Sequence, residues 1–158
     1  MDRNVWASVC AKMRRKAECG MDNLSPQERS ERMSRVRSKD TKPEMKVRRL
    51  VHRLGYRYRL HASEIAGKPD MVFPARRCVI FVSGCFWHRH RGCPLCRMPK
   101  TKLEFWEPKL EGNRKRDSRN QRKLRRDGWR VLVVWECQLT NEESLKRRIM
   151  RFLEQAEC

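Results

Sequence analysis

Residues 71–82, Met-Val-Phe-Pro-Ala-Arg-Arg-Cys-Val-Ile-Phe-Val, carry the clearest strand pattern in the chain. The two apolar runs, 71–73 and 78–82, are separated by Pro74-Ala75-Arg76-Arg77, which is typical of a turn between strands. The preceding stretch, Tyr56–Leu60, alternates apolar or aromatic side chains with arginine, the period of a half-buried strand. We therefore predict three consecutive strands in a meander.

A helix is predicted immediately before these strands. Thr41-Lys42-Pro43-Glu44 supplies a capping hydroxyl, a proline in the first turn and a carboxylate that can return a hydrogen bond to the cap. The apolar residues of 45–54 keep largely helical spacing until Gly55. The helix should pack on a core.

The same capping pattern begins earlier, at Ser25-Pro26-Gln27-Glu28. The helix that it opens is rich in arginine, so we predict a basic helical arm over residues 25–40. Residues 1–24 have no sustained period and are predicted to be a disordered extension. We expect residues 25–158 to form a single domain, because this length suits one hydrophobic core.

The second half of the chain alternates helix and strand. Residues 102–127 are polar, strongly basic and predicted to be helical up to Gly128, and a buried strand is expected over 129–135. Asn141 then caps a last helix with one apolar face. The whole order predicts an α/β fold, a mixed sheet flanked by helices.

The charge balance indicates a polyanionic partner. Lys and Arg number 39 against 19 Asp and Glu, a formal net charge of +20. Nucleic acid is the leading partner for such an excess, although a charge excess without a specific site is an alternative. No apolar run is long enough to span a membrane or to serve as a secretory signal. We expect a cytoplasmic, nucleoid-associated monomer without membrane contact.

A dense group of metal-binding residue types follows the predicted strands. In a reducing compartment, cysteines are better explained as metal ligands or buried thiols than as disulfides. A structural zinc ion takes four such ligands, tetrahedrally. Buried thiols with exposed histidines are the alternative, and a Cys93-to-Cys96 knuckle could compete with a set that includes Cys137. The candidates are Cys85, His88, His90, Cys93, Cys96 and Cys137.

A carboxylate stands at the entry to the first core strand, in Gly67-Lys68-Pro69-Asp70. Phosphodiester cleavage needs such a carboxylate to hold Mg²⁺, which positions the attacking water and offsets charge on the phosphate. Restriction-type nucleases follow it with an acidic residue and a lysine on the next strand. Residues 78–83 have neither, and a Pro-Asp pair alone usually marks a turn.

Four motifs together resemble one family. They are Lys39–Glu44, Gly67–Asp70, Gly84-Cys85-Phe86-Trp87-His88-Arg89-His90 and Gly128–Cys137. In this order and spacing, over roughly residues 22–155, the chain resembles the very short patch repair (Vsr) DNA mismatch endonucleases. The resemblance implies a variant of the restriction-endonuclease fold in which histidine chemistry replaces the usual acid and lysine.

The resemblance also implies roles for individual residues. Asp70 matches the Mg²⁺-binding aspartate of the family, and the backbone carbonyl of Val82 matches a second metal contact. His88 matches the active-site histidine, which can orient or deprotonate water near neutral pH. Glu44 matches an acidic residue that helps to arrange metal-bound water. The structural zinc ligands of the family match Cys85, His90, Cys93 and Cys137, which leaves Cys96 as an extra thiol.

The chain departs from the family pattern at Ser83, where many members have histidine or another polar or acidic residue. A serine hydroxyl can hydrogen-bond to phosphate or water, but it is not a base at its ordinary pKa. We therefore expect His88 to carry more of the proton transfer than in a two-histidine scheme.

Aromatic and basic residues suggest how DNA would be bound. Phe86, Trp87 and Trp106 match the intercalating aromatics of the family, and a wedge between bases costs least where a mismatch has already weakened the stack. Burial of Phe86 and Trp106 in the core is the structural alternative. Contacts to DNA are expected from Lys68, Arg116 and Asn113, with Asp117 another polar candidate on the same helix.

The substrate implied by the resemblance is duplex DNA with a T:G mismatch produced by deamination of 5-methylcytosine. The enzyme would nick 5′ to the mismatched thymine and so initiate very short patch repair, with a MutL-type mismatch-repair protein as a further partner. Two alternatives stay open: a restriction-type endonuclease that cuts matched duplex, and a catalytically inert zinc DNA-binding module.

Overall fold

The computed structural model describes Ser25, Gln27, Glu28, Glu31, residues 39–60 and residues 62–155. The chain forms two compact units, Met1–Arg37 and Ser38–Cys158. The predicted extension over 1–24 and the arginines of the predicted arm, Arg29, Arg32, Arg35 and Arg37, lie outside the described residues.

Four residues of the first unit are described, and they show the predicted helix start. The Glu28 amide donates to Ser25 Oγ at 3.2 Å, and the Ser25 amide donates to a Glu28 carboxylate oxygen at 2.8 Å. This reciprocal pair satisfies two amides that a helix N-terminus leaves without intrahelical partners. Gln27, Glu28 and Glu31 are helical.

The second unit contains a three-stranded mixed sheet. Strands β1 (Met71–Phe73) and β2 (Cys78–Ser83) are antiparallel and are joined by a single 3-10 turn, Pro74–Arg76. Strand β3 (Arg130–Trp135) pairs in parallel with β2, and the order is β1-β2-β3. The predicted mixed sheet is confirmed.

Helices flank this sheet, and their starts follow the capping residues. They are α1 (Lys42–Arg53), α2 (Leu103–Arg126) and α3 (Glu142–Glu154), with a 3-10 turn at Glu136–Thr140 before α3. Thr41 Oγ1 accepts from the Glu44 amide at the start of α1, and Asn141 Oδ1 accepts from the Ser144 amide at the start of α3. None of the helices in the described ranges has the length and apolar character to cross a membrane.

The pleat of the strands divides the apolar side chains between two faces. Met71, Phe73 and Ile80 lie in one buried cluster with apolar residues of α1 and α3. Val72 and Val79 lie in a second cluster with Leu124 of α2. The sheet is therefore covered on both faces, which explains why its strands are almost uniformly apolar.

The predicted strand over Tyr56–Leu60 is wrong. One bridge forms, in which Arg59 and Val72 exchange backbone hydrogen bonds of 2.8 and 3.0 Å. Strand β1, the strand with which residues 56–60 would have to pair, is only three residues long and lies between Pro69 and Pro74. Proline has no amide to donate, so β1 offers too few donors for a longer ladder.

Candidate active site and metal centre

The site lies at the edge of the sheet where β2 ends. Strand β1 begins at this edge because it is antiparallel to β2, and β3 ends there because it is parallel. Asp70, immediately before β1, and Ser83, the last residue of β2, are therefore brought close together. A cleft of about 210 Å³ opens here. The predicted residues that line it are Glu44, Lys68, Asp70, Val82, Ser83, His88 and Arg116.

The carboxylate of Asp70 is fixed to the neighbouring strand. Its Oδ2 accepts a hydrogen bond of 2.7 Å from the Val82 amide. The pKa of Asp70 is raised to about 6: burial is the largest cause and the Glu44 carboxylate acts in the same direction, whereas the Val82 amide, Arg48 and His88 act in the opposite direction. A buried carboxylate that is costly to ionise gains from a bound cation, which is the condition for a metal ligand.

Close packing of the turn before Asp70 defines the wall of the cleft. Gly67 has φ 79°, and a Cβ there would lie 2.9 Å from Cβ of Asn120 on α2. Any side chain at this position would push α2 away from the turn. The next residue, Lys68, is exposed at the rim with φ 49°.

The imidazole of His88 has a carboxylate partner, Asp117, which the sequence suggested only as a polar candidate for DNA contact. His88 Nδ1 lies 2.5 Å from Oδ2 of Asp117, a residue of α2. A carboxylate on Nδ1 fixes the ring and leaves Nε2 as the atom that can accept a proton. The available signal was spacing: Asn113, Asp117, Asn120 and Gln121 recur at helical intervals within an otherwise basic helix.

Ser83 and Asn113 occupy supporting positions. Ser83 is buried at the end of β2 and lines the cleft. Asn113 lies outside the residues that line the cleft; its Nδ2 donates to the Trp87 carbonyl at 3.2 Å and its Oδ1 accepts from Arg116 at 3.0 Å. The amide therefore ties α2 to the loop that carries His88.

A second group of side chains lies beside the cleft. Ligand atoms of Cys85, His90, Cys93 and Cys137 all lie within 4.8 Å of one another, and Cys96 is outside this group. His90 Nδ1 is 3.5 Å from Sγ of both Cys85 and Cys137. Of the two ligand sets left open by the sequence, this is the one that includes Cys137 rather than Cys96. We call these four residues the Cys/His cluster.

The Cys/His cluster fits a tetrahedral soft-metal ion. A zinc–sulfur bond of about 2.3 Å implies neighbouring ligand atoms roughly 3.8 Å apart, and the cluster approaches this spacing. Burial raises the pKa of Cys85 to about 12, so its thiolate form requires a compensating cation. The indole of Trp135 stacks on His90, with ring centroids 4.1 Å apart and planes at 4°, and so holds the imidazole in place.

The predicted wedge residues form one aromatic cluster. Ring centroids of Phe86, Trp87 and Trp106 are 5.2 to 6.0 Å apart, and all three side chains are partly exposed. Full burial in the core, the alternative weighed for Phe86 and Trp106, is not observed. Phe105 extends the cluster outward: it is 55% exposed, and Lys109 Nζ lies 5.0 Å from its ring centroid.

Fold and site together define a class of protein, a DNA endonuclease, and the comparisons with known proteins establish it. The family model "DNA mismatch endonuclease Vsr" matches residues 21–94. The chain is 42% identical over 117 residues to the DNA mismatch endonuclease Vsr of Escherichia coli (strain K12), covering 74% of each chain. The chain belongs to the Vsr family, as predicted.

Two nicking enzymes are also similar over most of their length. The Type II nicking enzyme V.XorIIP of Xanthomonas oryzae pv. oryzae is 50% identical over 133 residues, which cover 84% of this chain and 97% of that protein. The Type II nicking enzyme V.NmeAIP of Neisseria meningitidis serogroup A is 38% identical over 132 residues, 84% and 94% of the two chains. These relatives confirm the predicted endonuclease activity rather than an inert DNA-binding module.

Proposed function

We propose that the protein nicks duplex DNA 5′ to the thymine of a T:G mismatch in a magnesium-dependent reaction, and so initiates very short patch repair of deaminated 5-methylcytosine. The observation that carries the proposal is the convergence of Asp70, His88 and Asp117 in one cleft. A carboxylate that can hold a metal and an imidazole that can take a proton are what water attack on a phosphodiester requires.

Asp70 and the main chain of Val82 would hold Mg²⁺ at the edge of the sheet. The cleft supports this assignment because Asp70 is a buried oxygen ligand, the donor type that Mg²⁺ prefers. When bound, the ion would offset the negative charge that develops on the phosphate and the leaving oxygen.

His88 acts as the proton acceptor of the proposed reaction. Its Nδ1 is engaged by Asp117, so Nε2 is free to orient and deprotonate the attacking water. Ser83 has no group that could replace it at neutral pH, although its hydroxyl can hydrogen-bond to phosphate or water. Proton transfer therefore depends on one imidazole.

The aromatic cluster supplies discrimination between faulty and intact duplex. Phe86 and Trp87 precede His88 directly, so a ring inserted at a weak base step would bring the neighbouring phosphate to the cleft. Unstacking costs a few kcal/mol and least at a mismatch. Lys68 and Arg116, exposed at the rim, contribute phosphate contacts.

The Cys/His cluster would hold a structural zinc ion. Its four donors are soft or borderline, which is the donor type of structural zinc sites, and they belong to the loop and to the 3-10 turn that follows β3. The ion would fix the loop that carries His88 and the aromatic residues.

The test is a nicking assay on one labelled duplex that carries a T:G, A:C, T:T or matched pair at the same position. We expect a single nick, 5′ to the thymine, in the T:G duplex with Mg²⁺, and no nick with EDTA. Asp70→Asn is expected to abolish nicking and retain DNA binding in a gel-shift assay. Equal cleavage of matched and T:G duplex would contradict the mismatch specificity and favour the restriction-type alternative.

A further inference from the structure

Arg48 is a buried arginine that pairs with Glu44, one of the carboxylates of the cleft. The side chain of Arg48, on α1, is only 8% exposed. Its Nη2 lies 3.4 Å from Oε2 of Glu44, and its Nη1 pairs with the more exposed Asp40. Arg48 Nε is buried and has no hydrogen-bond partner in the part of the chain that the structure describes. A buried guanidinium is costly even when paired, so its place beside Glu44 calls for a functional explanation.

Glu44 is held at both oxygens. Thr41 Oγ1 donates to Glu44 Oε1 at 2.8 Å, and Arg48 faces Oε2. The carboxylate is almost fully buried, although it also lines the cleft. Its orientation is therefore set by α1 and by the cap, and its charge is offset by Arg48, a partner that it shares with Asp40.

Both charges act on Asp70. The Glu44 carboxylate raises the pKa of Asp70 and the Arg48 guanidinium lowers it, so both lie within electrostatic range of the cleft. Arg48 lines a separate groove, together with Met45 and Arg49, and is not among the residues that line the cleft. Its influence on the cleft is therefore exerted through Glu44 and through its field.

We propose that Arg48 is a positioning residue that neutralises Glu44, so that Asp70 carries the negative charge offered to a divalent cation and Glu44 only orients water. This inference rests on the proposed role of Asp70 as a metal ligand. Arg48 thereby limits the cation affinity of the cleft, because an unpaired Glu44 would add a second carboxylate. The same pairing has two effects: it holds Glu44 in place, and it keeps the affinity of the cleft for cations low.

The experiment measures cation binding without DNA. Full-length, zinc-loaded protein is titrated with Mn²⁺ by electron paramagnetic resonance, and Mg²⁺ is then used as the competitor. Removing the guanidinium in Arg48→Gln should tighten Mn²⁺ binding by about fivefold or more, because a positive charge is lost near the ion. Glu44→Gln should weaken it by a similar factor, and the double variant should return close to the wild-type affinity.

Nicking rates measured at saturating cation concentration separate the effect of Arg48 on cation affinity from its effect on the orientation of Glu44. Because Glu44 is then held only by Thr41, Arg48→Gln should lower kcat about tenfold while KM for DNA stays unchanged. Arg48→Lys should restore the wild-type cation affinity and recover only part of kcat. Arg49→Gln, an exposed neighbour on the same helix, is the matched control and should leave both quantities unchanged.

The outcomes distinguish the two proposals. If wild-type protein and Asp70→Asn bind Mn²⁺ equally, Asp70 is not the metal ligand and both proposals are wrong. If Asp70→Asn abolishes binding but Arg48→Gln binds Mn²⁺ as weakly as wild type or more weakly, only the role of Arg48 is overturned, because a merely structural residue would lower affinity. Should Arg48→Gln not fold, Glu44→Gln and Arg48→Lys decide: unchanged affinity in Glu44→Gln would contradict the inference.

Discussion

The cleft and the Cys/His cluster lie at the same edge of the sheet, but the cleft is built by strands and helices and most of the cluster by a loop. Asp70, Glu44 and Asp117 belong to, or directly adjoin, hydrogen-bonded strands and helices. Residues 84–102 contain neither helix nor strand, and their main-chain hydrogen bonds are those of turns, such as His90 N–H to the Cys85 carbonyl and Cys93 N–H to the His90 carbonyl.

One residue links the two regions. His88 belongs chemically to the cleft, but it lies in the sequence between Cys85 and His90 of the cluster. The cleft therefore depends on the cluster, whereas the contacts described for the four cluster residues do not involve Asp70. We therefore expect substitutions in the cluster to impair both regions, and substitutions in the cleft to impair the cleft alone.

The largest effect should follow loss of the metal in the cluster. Cys137→Ser removes the ligand that joins the loop to β3, so we expect loss of zinc, loss of nicking and a fall in unfolding free energy of several kcal/mol. Metal analysis by inductively coupled plasma mass spectrometry and thermal unfolding measure these changes.

The matched control for this prediction is Cys96→Ser, which removes a thiol outside the cluster. This variant should keep one zinc ion per chain and wild-type nicking. Loss of metal in the Cys96 variant alone would instead favour the Cys93-to-Cys96 knuckle.

A smaller effect, confined to catalysis, is expected from His88→Ala. The variant should nick roughly 10²- to 10⁴-fold more slowly, the usual contribution of a general base. Zinc content, unfolding temperature and gel-shift affinity for T:G duplex should stay at wild-type values, which would show that the imidazole serves the cleft rather than the loop. Near-normal nicking would remove His88 from the mechanism.

Sequence patterns predicted the regular half of the molecule well. Caps at Thr41 and Asn141, the two apolar runs of the hairpin and the strand at 129–135 all correspond to observed elements, because each is determined by local periodicity and hydrogen-bonding chemistry. The strand predicted over Tyr56–Leu60 failed because pairing depends on the partner edge, which no local pattern encodes.

The site was only partly predictable for a related reason. Resemblance placed Asp70 and His88 on one site, and the structure brings them into one cleft. The contact between His88 and Asp117 joins residues 29 positions apart in sequence, and that of Arg48 with Glu44 matters only because both are buried. Burial and long-range side-chain contacts emerge from packing, so the helical spacing that marks Asp117 as one of a polar group could not identify His88 as its partner.

The carboxylate behind His88 should matter less than the imidazole itself. Asp117→Asn keeps the size of the side chain but removes the carboxylate that contacts His88 Nδ1, so the ring is less well oriented. We expect nicking to fall about 10- to 100-fold, while zinc content and gel-shift affinity for T:G duplex stay at wild-type values. Asp127→Asn, an exposed aspartate at the end of α2, is the control. Wild-type nicking by Asp117→Asn, or an equal loss in Asp127→Asn, would contradict the assigned role.

The smallest expected effect is on folding stability: Asp70→Asn, which should abolish nicking, should stabilise the fold at neutral pH. Burial raises the pKa of Asp70 from 3.8 to about 6, so in Mg²⁺-free buffer the folded state binds more protons than the unfolded chain between about pH 4 and 6. Stability contributed by this group therefore falls as pH rises through that window, and above it the ionised carboxylate costs about 2–3 kcal/mol.

Asp70→Asn carries no such penalty, so it should be more stable than wild type at pH 7.5 and nearly equal to it at pH 4, although it does not nick. Urea unfolding at the two pH values measures the difference, and Mg²⁺ should narrow it at pH 7.5 by stabilising only the wild type. A variant that is less stable than wild type at both pH values would show that the carboxylate supports the fold. The cleft would then differ from the Cys/His cluster less than proposed, since both would be structural.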